Sequence, residues 1–224
     1  MKEYNVQPHN TYNMDEKGFL IGMLAKARRI FNKEAFNSGK LLGAGQDGNR
    51  EWITLLATIC QDGTFLPLAL IYQAVTGDIQ DTWVQDLDTT TDKVLFASSP
   101  TGWTNDSLGF AWLERFNQQT KKACQGREWR LLYVDGHGSH INMKFLEHCD
   151  KHRILVAVYP PHSTHRLQPL DVSLFRPLAE YYSQELDNWL PNTRALCRVT
   201  KRELFTIFKP AFAKAFSPKN IESG

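Results

Sequence analysis

The sequence predicts an α/β fold in which a mixed sheet is flanked by helices. Three observations support this prediction. Three apolar segments follow one another in the first third of the chain, two more alternate with amphipathic segments, and the remainder shows helical apolar spacing. The 224 residues, 42% of them hydrophobic and 22% charged, suffice for one domain with a sizeable core.

Strands are predicted where short apolar runs end at turn residues. The first run contains Asp15, and the second and third surround an Asp-Gly turn, which is typical of a hairpin. The fifth run ends at two prolines. The predicted strands are 11–22, 51–60, 65–74, 129–135 and 154–161. The polar residues 75–103 are predicted to be irregular.

Helices are predicted from apolar residues at helical spacing after an N-cap residue. They cover 104–124, 142–153 and 171–190, with Pro177 in the first turn of the last helix or at a kink. The basic segment 26–36 is predicted as a helix or an extended arm. We expect one domain over residues 1–190 and a basic helical extension over 191–224.

Charge is unevenly distributed although the net charge is only +2. Residues 26–50 and 194–219 are basic, whereas residues 78–106 are acidic. Such segregation is typical of a basic face for nucleic acid, and equally of solvated helix faces. The four cysteines are scattered, as for buried thiols in a reducing compartment, and tryptophans 83, 103, 112 and 129 are expected in the core. No run approaches the roughly 18–20 apolar residues of a membrane span, so we expect an intracellular, soluble protein.

Three aspartates stand where chemistry gathers in an α/β sheet, at strand ends and helix starts. Asp135 ends the run LLYV before Gly136 and Gly138, Asp171 begins a predicted helix, and Asp15 lies in the first strand. Their carboxylate oxygens suit Mg²⁺ or Mn²⁺. Without a cation, their like charges are expected to raise the pKa of at least one of them. The alternative for each is an ordinary turn or N-cap aspartate.

Six motifs, in order along nearly the whole chain, resemble the catalytic domain of pogo-like transposases of the mariner superfamily. This is the DDE endonuclease type found in fungal elements. The motifs are YNMDEKGF, GNREWITLLATIC, DTWVQDL, SSPTGWTND, LLYVDGHGSH and YPPHSTHRLQPLDVSLF. The resemblance implies a ribonuclease H-like fold and a catalytic, metal-binding triad of Asp15, Asp135 and Asp171. Thirty-five residues separate the last two, as in the pogo group.

The resemblance also implies function. It implies DNA strand cleavage and strand transfer at transposon ends by phosphoryl transfer, with two Mg²⁺ or Mn²⁺ ions as cofactors. DNA is the implied partner, the nucleus the implied location, and a homo-oligomer on DNA is left open. We expect no membrane partner and no small-molecule cofactor. The family's upstream helix-turn-helix region is not recognised, and relatives continue beyond the last residue, so a catalytic core of a longer protein is expected.

Further residues are predicted to support the chemistry. Those expected around the acids or the scissile phosphate are Glu16, His137, His140, His165, Arg166 and Arg50. The alternatives are loop packing for the histidines, a solvated position for Glu16 and a structural role for Arg50. Those expected to contact DNA are Lys26, Arg28, Arg29, Lys33, Lys201 and Arg202. Lys17 stands where the family has threonine, and its side chain is expected on the face opposite Asp15.

Two functions remain open from the sequence. One is an endonuclease of the transposase type. The other is a host-adopted or decayed descendant that binds nucleic acid without catalysis. All three acids are present, which favours the first, because binding alone has no physical need for them.

Overall fold

The computed structural model describes residues 4–21, 51–122, 124–125, 127–135, 141–160, 163–192 and 199–224. Six strands form one mixed sheet in the order β4-β3-β2-β1-β5-β6. They are β1 Thr11–Leu20, β2 Trp52–Cys60, β3 Leu68–Gln73, β4 Val94–Ser99, β5 Arg130–Val134 and β6 Ile154–Val158. β2 is antiparallel to β1 and β3, whereas the pairs β1–β5, β5–β6 and β3–β4 are parallel. The predicted mixed sheet is confirmed.

Five of the six strands lie where apolar runs predicted them. The Asp-Gly turn after β2 is confirmed, because Gly63 adopts a positive φ of 86° and the amide of Cys60 bonds to the carbonyl of Thr64. The prediction was wrong for residues 75–103, which contain β4 at the sheet edge. Apart from its last residue, β4 is only partly buried, so its sequence lacks the continuous apolar pattern of the central strands.

The described helices are α1 Asp106–Thr120, α2 Met143–Lys151, the single turn α3 Thr164–Leu167, α4 Phe175–Asn192, α5 Lys201–Ala215 and α6 Pro218–Glu222. Local capping explains where several begin. Asn105 accepts a hydrogen bond from the amide of Leu108, and Asn142 accepts one from Phe145. Thr200 and Glu203 form a reciprocal capping box at α5. Pro177 lies in the first turn of α4, as predicted.

Each face of the sheet has its own hydrophobic core. Ile53, Leu55 and the other odd-numbered residues of β2 pack against α4 and α5. Leu56, together with residues of β1 and β5, packs against α1 and α2. Because side chains alternate along a strand, β1 presents Tyr12 and Met14 to the second core and Asn13 to the α4 face.

Arg130 fixes the start of β5 on the face of the sheet that packs against α1 and α2. This side chain is almost fully buried, and its guanidinium donates to the Thr120 hydroxyl at 2.7 Å and to the carbonyl of His152. Arg130 therefore holds β5 against the ends of α1 and α2, which sets the position of the strand that leads to Asp135.

The helices after residue 199 pack into the first core rather than apart from it. Leu204, Phe208 and Ala211 of α5 belong to the same cluster as Leu178 of α4. The predicted division at residue 190 stays a prediction. Cys60, Cys124 and Cys149 are buried free thiols, as expected. The prediction of a tryptophan core holds only in part. Trp83 and Trp112 are partly buried against the two cores, whereas Trp129 belongs to neither core. Trp103 is 46% exposed, and its ring lies tilted against that of Trp52.

Candidate active site

Three structural segments bring the three predicted acids to one region. Asp15 lies in β1, Asp135 directly follows β5, and Asp171 lies in a π-helical turn, Leu170–Leu174, that leads into α4. In the parallel β1–β5 pair, Asn13 stands opposite Tyr133. Asp15 and Asp135 each lie two residues further on, so they reach the same level on neighbouring strands. π-Helical turns occur frequently at functional sites.

Asp15 is the most perturbed acid of the site. Only 8% of the residue is exposed. Burial raises the pKa of its carboxyl to about 8; a backbone hydrogen bond at Glu16 opposes this rise, and the negative charges of Asp171 and Asp135 add to it. The expected pKa rise is confirmed, but loss of solvent contributes more to it than like charge does.

Gln168 supplies a buried amide beside Asp15 that sequence reasoning missed. The residue is 1% exposed, and its amide lowers the pKa of Asp15. Among the described residues, neither polar atom of this amide has a hydrogen-bond partner of ordinary geometry. Buried amides are normally hydrogen-bonded, and the Asp15 carboxyl is the neighbour on which this amide acts. Its position three residues before Asp171, in the motif LQPLD, was the available signal.

Asn13 is a second buried amide that the sequence did not reveal. It lies two residues before Asp15, on the same face of β1. Its side-chain nitrogen donates to the carbonyl of Tyr133 at 3.4 Å, and its side-chain oxygen accepts from the amide of Leu170 at 3.3 Å. The available signal in the sequence was a polar residue in the first predicted strand, two positions before Asp15.

Two neighbours of Asp15 on β1 differ in their placement. The expectation for Lys17 was wrong, because residues two apart along a strand share a face. Its ammonium lies 5.8 Å from the ring centroid of Phe175, on the Asp15 face. Glu16 is partly buried and points to the other face of β1, so its side chain is directed away from the region that Asp15 faces.

The remaining predicted site residues fall into two groups. Those outside the described residues are Lys26, Arg28, Arg29, Lys33, Arg50, His137 and His140, together with the side chain of His165. Among the described ones, Arg166 and Arg202 are exposed. Lys201 is only 9% exposed, and its ammonium pairs with Glu51 at 3.1 Å and lies over the ring of Trp83. Its position gives the predicted DNA contact of Lys201 no support.

The acids form an open arrangement rather than a closed set of ligands. In the part of the chain that the structure describes, no three His, Cys, Asp or Glu side chains are close enough to hold one ion together. Oxygen donors nevertheless fit Mg²⁺ or Mn²⁺, because Mg²⁺ typically uses one or two carboxylates together with water and substrate phosphates. A desolvated carboxyl between two further acids is also the environment that a divalent cation would neutralise.

Comparison with known proteins identifies relatives of this fold. Residues 49–224 match the family described as DDE superfamily endonuclease. The Mos1 transposase paired-end complex with left transposon end matches 93% of this chain and 56% of that one, with a TM-score of 0.52 and 13% identity. The match to the Mos1 mariner paired end complex with Mn covers 98% of this chain and 56% of that one, with a TM-score of 0.51 and 13% identity. The predicted ribonuclease H-like fold is confirmed.

Two curated relatives match by sequence. The chain is 32% identical over 219 residues to the MFS-type transporter clz9 of Cochliobolus lunatus, which covers 98% of this chain and 23% of that protein. It is 26% identical over 145 residues to the pogo transposable element with ZNF domain of Homo sapiens. This match covers 65% of this chain and 9% of that protein. The chain thus spans less than a quarter of either relative. None of the helices described in the structure is both long enough and apolar enough for a membrane span.

The raised pKa of Asp15 predicts a pH-dependent stability of the metal-free protein. The folded-state pKa of about 8 exceeds the ordinary value of 3.8, so the stability due to protonated Asp15 is complete below pH 3.8 and is lost as pH rises towards 8. Asp15→Asn removes this loss. Melting curves in EDTA should show that the free energy of unfolding of the variant, relative to that of the parent, rises from pH 5 to pH 7 by up to about 1.4 kcal/mol per pH unit. A constant difference between the two proteins would contradict the raised pKa.

Proposed function

This chain belongs to the DDE superfamily of endonucleases, and we propose that it is a catalytic domain of the pogo/mariner transposase type that cuts DNA at transposon ends and joins the cut strands to target DNA. The reaction would be phosphoryl transfer that depends on Mg²⁺ or Mn²⁺. The presence of Mn in a Mos1 paired end complex of the same fold supports the choice of metal.

One observation carries this proposal: the burial of Asp15 beside Asp135 and Asp171. A carboxyl whose pKa rises to about 8 is unfavourable to ionise in the metal-free fold. Asparagine at this position would avoid the penalty and would serve a purely structural role or a DNA-binding role equally well. A divalent cation offsets the penalty, because it stabilises the ionised carboxylates. The catalytic function therefore has more support than the alternative of DNA binding without cleavage.

The residues would act as follows. Asp15 would lose its proton when a cation binds, and Asp15 and Asp135, at the same level of neighbouring strands, would both serve as carboxylate ligands. Asp171 would complete the ligands from the side of α4. Two bound ions would supply an activated water or 3′-hydroxyl nucleophile and would stabilise the leaving oxygen. The buried amide of Gln168 is placed to donate a hydrogen bond to a carboxylate or a bound water.

DNA is the proposed partner, and we propose the nucleus as the site of action because chromosomal DNA lies there. One Mos1 structure of the same fold is a paired-end complex with the left transposon end, which supports DNA as the substrate. Arg166 is exposed and precedes Gln168 and Asp171 in the sequence, so it is a candidate for a phosphate contact. Arg202, exposed at the start of α5, is a second candidate.

Removing the proposed third ligand should separate metal binding from folding. Asp171→Asn should fold as well as the parent, because it removes a negative charge near Asp15. It should lose metal-dependent nicking of labelled DNA and at least half of the thermal stabilisation that Mn²⁺ gives the parent. The measurement is a melting curve with and without Mn²⁺, paired with a nicking assay in Mg²⁺ and in EDTA.

Asp187→Asn is the matched control for this experiment. Asp187 is exposed on α4 and lies outside the proposed site, so its variant should keep the full Mn²⁺ response. If Mn²⁺ raised the melting temperature of Asp171→Asn as much as that of the parent, Asp171 would not be a metal ligand and would serve only at the start of the helix. Nicking of equal rate in EDTA would exclude the metal-dependent mechanism itself.

We expect DNA binding by this chain to be weak, largely independent of sequence and steeply dependent on salt. Its basic segments 26–50 and 194–219 offer phosphate contacts, and its 224 residues contain no recognised base-reading motif. The measurement is the affinity for terminal-repeat duplexes and random duplexes between 50 and 200 mM salt, a range over which ~6–10 phosphate contacts lower affinity steeply. A preference above about a thousandfold for one repeat would instead indicate base readout.

A further inference from the structure

Asn13 connects the three chain segments that carry the three acids. It is 5% exposed and belongs to β1, two residues before Asp15. Its side-chain nitrogen donates to the carbonyl of Tyr133, which lies in β5 two residues before Asp135. Its side-chain oxygen accepts from the amide of Leu170, the residue immediately before Asp171. Each connection thus lies one or two residues from an acid.

The bond to Leu170 has a specific structural reason. The first amides of a helix lack partners within the helix and need an acceptor from elsewhere. Pro169, at the N-cap of the π-helical turn, provides no side-chain cap. Asn13 supplies the missing acceptor from another strand, so the start of the Asp171 segment is attached to β1 rather than capped by its own neighbours.

The acids themselves oppose this arrangement. Asp135 and Asp171 are both acids, and like charges on ionised carboxylates disfavour their close approach. β1 and β5 are joined by backbone pairing, but that pairing ends opposite Tyr133, before either acid. A side chain that bonds to β5 and to the Asp171 segment at once can limit how far the three carboxyls separate.

We infer that Asn13 is a positioning residue that limits how far the Asp135 and Asp171 segments can separate from β1 and thereby supports the binding of a divalent cation by their carboxylates. It acts through its hydrogen bonds to Tyr133 and Leu170. The inference rests on the proposed function, because it assigns Asn13 to the same metal site. Residues that orient metal ligands in this way typically change metal affinity by about 10–100-fold when they are replaced.

Asn13→Ser is the variant best suited to a test. The serine side chain is too short to reach Tyr133 and Leu170 together. A cavity of about 340 Å³, lined in part by Asn13, Tyr133, Tyr159 and Pro169, adjoins the position and leaves room for water to solvate the groups released. Asn10→Ser is the matched control, because Asn10 is a fully buried asparagine whose amide bonds to Glu128, close to the start of β1 and away from the acids.

Two measurements on the 224-residue chain test the inference. The first is hydrogen exchange of the Leu170 amide by NMR in EDTA, which should accelerate at least tenfold in Asn13→Ser relative to the parent and to Asn10→Ser. The second is Mn²⁺ affinity, measured from the electron paramagnetic resonance signal of free Mn²⁺ at a temperature at which all three proteins are folded. The affinity should fall about 10–100-fold in Asn13→Ser and stay within about twofold in Asn10→Ser.

The outcomes separate this inference from the proposed function. Parental Mn²⁺ affinity in Asn13→Ser would overturn the positioning role, and so would unchanged Leu170 exchange. An equal loss of affinity in Asn10→Ser would also overturn it, because any buried asparagine near β1 would then have the same effect. If the parent itself binds no Mn²⁺, the proposed metal site fails, and the role of Asn13 in metal binding falls with it.

Discussion

One unfavourable electrostatic arrangement constrains the whole fold: the Asp15 carboxyl is buried within reach of the charges of Asp135 and Asp171. The rest of the structure must offset its cost. Burial alone makes ionisation of Asp15 costly, and the two neighbouring acids add to that cost. A fold can maintain such a site only if the segments that carry the acids are held by interactions elsewhere. In this protein, those interactions lie on both faces of the sheet and in the amide network next to the acids.

The two hydrophobic cores provide the larger part of this support. One face of the sheet packs on α4 and α5, which anchors the helix that follows Asp171. The other packs on α1 and α2, where buried Arg130 fixes the beginning of β5. Each acid therefore lies within a well-packed element or a few residues from one. Asn13 and Gln168 occupy the space between these elements, where polar groups rather than apolar packing decide the geometry.

The sequence predicted most of the fold and the three acids, because apolar periodicity marks buried strands and the motifs around the acids are distinctive. β4 was missed because a partly buried edge strand lacks a continuous apolar run. Asn13 and Gln168 were missed because their significance lies in contacts between distant segments, such as Asn13 with Leu170. For the same reason, the sequence assigned Lys201 to DNA, whereas in the fold its ammonium pairs with Glu51.

In the metal-free protein Asp15 is expected to be a protonated, buried carboxyl, and a divalent cation should stabilise its ionised form. The most direct measurement is a ¹³C NMR titration of the Asp15 carboxyl, in EDTA and in saturating Mg²⁺, with Asp15→Asn used to assign the signal. The titration should give a pKa near 8 without metal and a value below the ordinary 3.8 with Mg²⁺. A pKa near 3.8 in EDTA, or a raised pKa that Mg²⁺ leaves unchanged, would contradict this expectation.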